Sequence, residues 1–419
     1  MTEKIYVIGA GIVGISCAIA LQRDGHQVVI IDKTGPAAGA SFGNAGAIVN
    51  GSCIPTATPG IAISALKMLL TRGPLSMDVA SVPHILPWLV RFVIQSSQRN
   101  YQHNATALVS LTKQASQSWK TLLDSHKFND NECLNLFKNV GWLRLFETSA
   151  TFNANLAARN LMQQCGTDFS ILDADDIYQL EPNLNRIFKH GFFQPDCHFV
   201  SNPDKMCQRL SAHFIENGGQ FQVVDVSEIS IANGTVAGNQ PVIKTTTGDI
   251  YPKKIVLCAG AWSAKIAAGL NYKVPLMAER GYHLMLPATH QISRPIVNAD
   301  HSIVLSPMQS GLRMTSQVEL AKVDTAPDYR KIRSLLPQVK RMLSSVDLTE
   351  QSVWMGARPS LPDSLPIISQ STHPDIFYGF GHQHLGMTLG PLTGQLIADL
   401  IAKRPSTIDL SAFRADRFN

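Results

Sequence analysis

No two of the seven cysteines (Cys17, Cys53, Cys133, Cys165, Cys197, Cys207 and Cys258) form a C-x-x-C pair, and the odd count with wide spacing suits neither a zinc site nor a disulfide framework. The expectation is reduced thiols in a cytoplasmic protein with no metal. No run of about 18 apolar residues exists, which argues against a membrane-crossing helix. The first apolar stretch reads as a buried strand rather than a signal or transit peptide. Charge is sparse: 16% of residues are charged, the net balance is +5, and the Lys and Arg residues are scattered, so nothing points to nucleic acid. Internal repeats and low-complexity linkers are also missing. What remains, 419 residues with 45% hydrophobic content, describes a globular chain of two or three domains.

The most informative segment is at the start. Ile5 to Ile8 is apolar and β-branched, Gly9-Ala10-Gly11-Ile12-Val13-Gly14 follows, and a second apolar run, Val28 to Ile31, ends at Asp32 and Lys33. A strand, a glycine turn, a helix and a second strand ending in an acid suit a nucleotide diphosphate. Gly9 permits the tight turn, Gly11 lets backbone approach the pyrophosphate, and Gly14 lets the helix pack on the strand. The helix N-terminus offers unpaired N–H groups to the phosphates. Asp32 stands 18 residues beyond Gly14, placed to accept from a ribose hydroxyl.

Further along, Gly35 to Gly46 is rich in glycine and alanine, as a loop passing a flat ligand would be. Two apolar segments, Ile61 to Leu70 and Val82 to Ile94, are interrupted by Lys67, Arg72, Gly73 and Pro74; they read as helices covering the core or as a peripheral membrane contact. A helix is predicted to start within Ser201-Asn202-Pro203-Asp204, with a polar cap and Pro203 near the first helical position, and a charged one to span about 327 to 344. The last section, Ile376 to Phe380 into Gly381, repeats the pattern of strand, turn and helix, with Leu389, Leu392, Leu396, Ile397, Leu400 and Ile401 at core spacing. Ile255 to Gly260-Ala261-Trp262 is a second buried strand running into a glycine turn, which a plain nicotinamide dehydrogenase does not need.

These elements together with Ser41 to Gly46, Gly356-Ala357-Arg358-Pro359 through Pro362-Asp363, and Gly379-Phe380-Gly381-His382 resemble the D-amino acid oxidase superfamily, especially its bacterial D-amino acid dehydrogenase and D-hydroxyproline dehydrogenase group. The resemblance runs end to end. It implies an α/β fold, α+β overall: a Rossmann-like two-dinucleotide-binding FAD domain (residues 1–60, 195–270 and 352–419) interleaved with a mixed-sheet substrate domain (61–194 and 271–351). Carried over by position, Gly9 through Gly14 hold the pyrophosphate and Asp32 and Lys33 meet the adenosine ribose. Ser41, Asn44, Ala45 and Gly46 pass the pyrophosphate and flavin ring, Val226 meets the adenine, and Gly260 and Trp262 form the second strand end. Gly381, Gly386, Met387 and Thr388 open the last helix, whose N-terminus would stabilise negative charge on reduced flavin; a purely structural turn is the alternative. No cysteine follows Cys258 and no histidine lies in Gly39 to Gly46, so FAD is expected to be non-covalent.

On the substrate side, Arg358 resembles the carboxylate clamp of amino acid oxidases, where a planar fork meets a planar carboxylate; the alternative is a structural arginine paired with Asp363. Arg280-Gly281-Tyr282-His283 begins a strand where the resemblance places a tyrosine or histidine over the pocket, a core or edge-strand aromatic being the alternative, and His382 and His384 are either packing or catalytic. The resemblance implies oxidative deamination of a D-amino acid, with D-proline and cis-4-hydroxy-D-proline in view. A glycine or sarcosine oxidase and a flavin subunit of a hetero-oligomer remain as other readings. The electron acceptor — oxygen, a quinone or another carrier — is not legible, and cytoplasmic placement at the inner face of the cell membrane stays open.

Overall fold

The computed structural model describes residues 4–70, 73–123, 130–235, 238–270, 273–289 and 291–418, and is built around two large sheets; Arg72 lies outside the described residues. In the first, Ile5–Ile8 pairs in parallel with Val28–Asp32 and Lys254–Leu257. Gln220–Val223 and Ile376–Phe380 extend it outward, and Ile367–Gln370 closes one edge antiparallel. Alternation assigns the faces. Ile5 and Val7 pack with the helices Ile12–Arg23, Pro203–Glu216 and Gly386–Ala402, whereas Ile8 packs with the antiparallel strands Val226–Thr235 and Gly238–Thr245. The last helix buries Leu389, Leu392, Leu396, Ile397 and Ile401, at the predicted spacing. Helix Pro203–Glu216 starts where predicted, with Asn202 accepting from the Lys205 amide at 3.0 Å.

The second sheet runs in the order Ser352–Ser360, Met277–Leu286, Gly311–Leu320, Ile303–Met308, Ile296–Asn298, Trp142–Phe146, His190–Gln194, Ser170–Leu172, with Leu75–Met77 beside Gly311–Leu320. Strand Ser352–Ser360, expected among the nucleotide-binding segments, instead forms the edge of this sheet against Met277–Leu286. One face carries Leu143, Leu284, Leu305 and Met314 into a core with Ile332 and Val339. The charged helix predicted over 327–344 is two short ones, Arg330–Arg333 and Leu336–Met342, with Pro337 opening the second. The other face looks toward the Ser41–Gly46 loop.

Helices Ile61–Leu70 and Val82–Gln95 stand outside both sheets. Ile85 and Trp88 pack on Met277 and Leu320, and the opposite face of the second helix is solvent-exposed. Among the described residues, no helix is long and apolar enough to cross a membrane and no cluster of His, Cys, Asp or Glu could hold a metal. All seven cysteines are free thiols.

Candidate active site

A cleft of about 380 Å³ crosses the carboxyl ends of five parallel strands. Its walls are the residues that follow each strand in turn: Val224 to Ser227, Asp32 to Thr34, Gly9 to Val13, Cys258 to Trp262, and Gly381 to Gln383. Ligands of open α/β sheets bind at this edge, and an elongated dinucleotide matches the shape. Gly9 turns at φ 107°, and a Cβ there would stand 2.4 Å from the Cys258 carbonyl oxygen. A Cβ on Gly14 would stand 1.9 Å from the Gly9 oxygen, so helix and turn touch through backbone alone.

Asp32 does more than the sequence reading asked of it. Its Oδ2 accepts from the Ala10 amide at 2.9 Å and its Oδ1 from Thr34 and Gly35, so the carboxylate organises the turn while keeping lone pairs toward the cleft. Ser41 Oγ accepts from the Ile12 amide at 3.0 Å, and the Lys33 ammonium lies 4.4 Å over the Trp262 ring. Gly9, Gly11, Ile12, Val13, Asp32, Lys33, Ser41 and Asn44 border the cleft, as do Val226, Gly260, Trp262, Gly381, Gly386 and Met387. Ala10, Gly14, Ala45, Gly46 and Thr388 do not. The Ala45 carbonyl accepts from Ser306, the Gly46 amide donates to Asn44 Oδ1, and the Thr388 hydroxyl donates to the Ala47 carbonyl, so these residues shape the wall from behind. The last helix has no side-chain cap at Leu385, which leaves its first N–H groups open beside Gly386 and Met387. An elongated cleft, open N–H groups at Val13 and at the start of the last helix, and an acid beside the first turn fit FAD.

The loop above the cleft is held by the second sheet. Arg313 Nη1 donates to the carbonyls of Asn44 at 2.6 Å and Phe42 at 3.1 Å. His283 meets the Gly43 carbonyl through Nδ1 at 3.3 Å and stacks on Trp354; burial pushes its pKa down to about 3, so the ring is neutral and Nδ1–H donates. Tyr282, expected over the pocket, points to the opposite face: its hydroxyl donates to Glu319 at 2.5 Å among core residues. Strand parity gives the cleft side to its neighbour.

Arg358 faces Glu279 across the sheet edge, and its Nη1 donates to Glu279 Oε1 at 2.9 Å. Ser360 donates to the other carboxylate oxygen at 3.0 Å. The suggested partner Asp363 is instead engaged by Arg417 at 2.7 Å. Gly281 makes room for the guanidinium, since a Cβ there would lie 2.2 Å from Nη2. His384 follows the cleft residue Gln383 and is itself exposed to solvent. Desolvation by the protein around it pushes its pKa down to about 4 against the pull of Glu279, and the charges of Arg358 and Arg144 also reach it. His382 is buried, its ring bonded to Thr393 at 2.8 Å, and it borders the cleft between Gly381 and Gln383. Glu279 and Arg313 were not singled out in the sequence, whereas His283 was, beside Tyr282.

Comparison with known proteins agrees with this geometry. Residues 4–400 match the DAO family model, described as FAD dependent oxidoreductase. The chain is 30% identical to a D-amino-acid oxidase of Bradyrhizobium diazoefficiens, with 99% of each chain covered. It is 26% identical to a D-amino acid dehydrogenase of Sinorhizobium medicae, covering 99% of this chain and 100% of the relative. Among solved structures it superposes on glycine oxidase from Geobacillus kaustophilus with a TM-score of 0.75 at 19% identity, covering 99% of each chain. L-proline dehydrogenase from P. horikoshii gives 0.73 at 18% identity, covering 100% of this chain and 98% of that one. A cleft across five strand ends, roofed by a mixed sheet and matched over nearly the whole chain, places this protein in the DAO family of FAD-dependent oxidoreductases.

Proposed function

We propose that this protein oxidises a D-amino acid, with Arg358 binding the substrate carboxylate. The observation that carries the reading is the placement of Arg358 on the roof edge, with its chain neighbours Ala357 and Pro359 bordering the cleft beside Gly381 and Gln383. Bound FAD supplies the hydride acceptor, so that a neutral amine becomes an imine and water then releases a 2-oxo acid, or a cyclic imine remains for proline types. The Gly11 and Val13 amides are open toward the pyrophosphate, Asp32 and Lys33 take the ribose, Val226 covers the adenine, and the Gly386–Met387 amides face the flavin, held without a covalent bond. Glu279 fixes the Arg358 fork through one nitrogen, leaving Nη2 and Nε for the carboxylate. His384 stays neutral above about pH 5 because its pKa is near 4, so it adds no positive charge near Arg358 and Glu279. Positioning carries most of the catalysis in such a site.

The test is anaerobic bleaching of the yellow protein by paired D- and L-amino acids, glycine, sarcosine and both 4-hydroxyproline epimers. Bleaching by D-forms is expected. Bleaching by glycine or sarcosine alone would assign a smaller-pocket oxidase, and no bleaching would indicate a subunit that works only with partners.

For the electron acceptor, the exposed apolar face favours a membrane-dissolved carrier. Leu86, Val90, Val93 and Ile94 form the outer stripe of helix Val82–Gln95 and are 53%, 54%, 45% and 58% exposed; Ile63 and Val79 lie exposed nearby. From Lys33 to Leu123 the sequence holds seven Lys or Arg and a single acid, Asp78, which complements an anionic bilayer. Each side chain immersed would contribute on the order of 1 kcal/mol, since about half is already covered. The protein should float with vesicles containing phosphatidylglycerol but less with phosphatidylcholine alone. Leu86→Glu with Val90→Glu should abolish flotation while dye-linked turnover persists; flotation by the double variant would refute the contact.

A further inference from the structure

We infer that Arg313 is a positioning residue that raises the electron affinity of the bound flavin by turning two amides of the Ser41–Gly46 loop toward it. The inference rests on FAD in the cleft and not on the identity of the substrate. The loop covers the part of the cleft between two helix starts. It begins at Ser41, whose hydroxyl accepts from the Ile12 amide at the start of the first helix. It leaves at Ala47, whose carbonyl accepts from Thr388 in the first turn of the last helix. Between them Ser41 and Asn44 border the cleft.

The roof takes four consecutive carbonyls of this loop. Arg313 Nη1 donates to Phe42 at 3.1 Å and to Asn44 at 2.6 Å, His283 to Gly43 at 3.3 Å, and Ser306 to Ala45 at 2.9 Å. Register puts the three donors on one face: Arg313 stands opposite both Met285 and Ser306, and His283 is two residues from Met285. A trans peptide points its N–H away from its C=O. The amides from Gly43 to Gly46 therefore turn away from the roof, and a run of such N–H groups attracts negative charge. They are not equivalent. The Asn44 amide donates to the Ser41 carbonyl at 3.4 Å, and the Gly46 amide to Asn44 Oδ1 at 2.8 Å. Among the described residues, the Gly43 and Ala45 amides have no partner. These two belong to the peptides whose carbonyls Arg313 holds.

Arg313 is suited to polarise both. It is 7% exposed, its Nε meets the Met285 sulfur at 3.3 Å, and among the described residues no carboxylate forms an ion pair with it. Burial brings its pKa down only to about 10, so the guanidinium keeps its charge. A charge-assisted bond is about twice as strong as a neutral one, and it strengthens the donor at the other end of the peptide. A hydride brings two electrons and one proton, so reduction leaves the flavin with added negative charge. Donors aimed at that charge favour the reduced form. A residue that only stapled the loop to the roof would act alike on both oxidation states.

The experiment measures the flavin midpoint potential against a reference dye in the holoenzyme and in Arg313→Gln, Arg313→Lys and Ser306→Ala. Arg313→Gln should lower the equilibrium constant for two-electron reduction at least about tenfold, a shift of about 30 mV to lower potential. Arg313→Lys, which keeps the charge, should recover part of it. Ser306→Ala breaks a bond of the same staple, but the amide on that peptide, Gly46, is already engaged, so the potential should stay where it is. If Arg313→Gln releases FAD, its affinities for oxidised and dithionite-reduced FAD are titrated separately, because their ratio carries the same shift. Reduced FAD should then lose at least about tenfold more than oxidised FAD. An unchanged potential or equal losses for the two forms in Arg313→Gln, or the same shift in Ser306→Ala, would overturn the assignment and leave a structural staple. No amino acid enters the measurement, so its outcome is separate from that of the bleaching test.

Discussion

Gly14→Ala should yield colourless protein. The added methyl meets the Gly9 carbonyl oxygen at 1.9 Å, and that atom belongs to a turn pinned on its other side, where the Gly9 backbone lies against Cys258. Neither partner is a flexible side-chain tip, so helix Ile12–Arg23 must move away from the sheet. Shifts of this kind cost about 1–3 kcal/mol and sometimes more, and here they also separate the helix N-terminus from the phosphate position. The expected result is loss of at least about 99% of bound flavin, read as the ratio of flavin to protein absorbance, with a lower melting temperature. Gly11→Ala separates the two effects. Its Cβ meets only Ser41 Oγ, at 3.2 Å, so the fold should keep its melting temperature while FAD affinity falls. Retention of full flavin by both variants would mean that this turn does not hold the cofactor.

The first strand, turn and helix were legible because each signal is local: β-branched residues, glycine spacing and an acid within about thirty residues. The last helix was legible for the same reason. The errors arise where two parts of the chain must be known together. Ser352–Ser360 has the pattern of any half-buried strand, and only pairing with Met277–Leu286 assigns it to the roof. A shift in the pairing between Arg280 and Tyr282 resets the alternation along the strand, so of the two candidates Tyr282 and His283 the cleft side falls to His283. Asp363 was the natural partner of Arg358 by proximity in sequence. Glu279 lies 79 residues away, and the pairing exists because Glu279 and Arg358 stand directly opposite each other in the sheet.

Arg358→Ala should lower kcat/KM about a hundredfold to several thousandfold, the equivalent of roughly 3–5 kcal/mol for truncating one partner of an enclosed charge pair. Most of the change should appear in KM, since the arginine is proposed to hold the carboxylate rather than to move a proton. The loss has two parts. Removing the guanidinium deletes the clamp, and it also leaves Glu279, 14% exposed, with only the Ser360 hydroxyl as a described partner. That carboxylate would then repel the substrate anion. Glu279→Gln in the Arg358→Ala background removes the repulsion and should recover about tenfold in KM, whereas Glu279→Gln alone frees Nη1 and should change KM less than Arg358→Ala does. FAD content should be unchanged in all three, because Arg358 and Glu279 do not border the dinucleotide cleft. An unaltered KM in Arg358→Ala would remove the clamp from the roof edge.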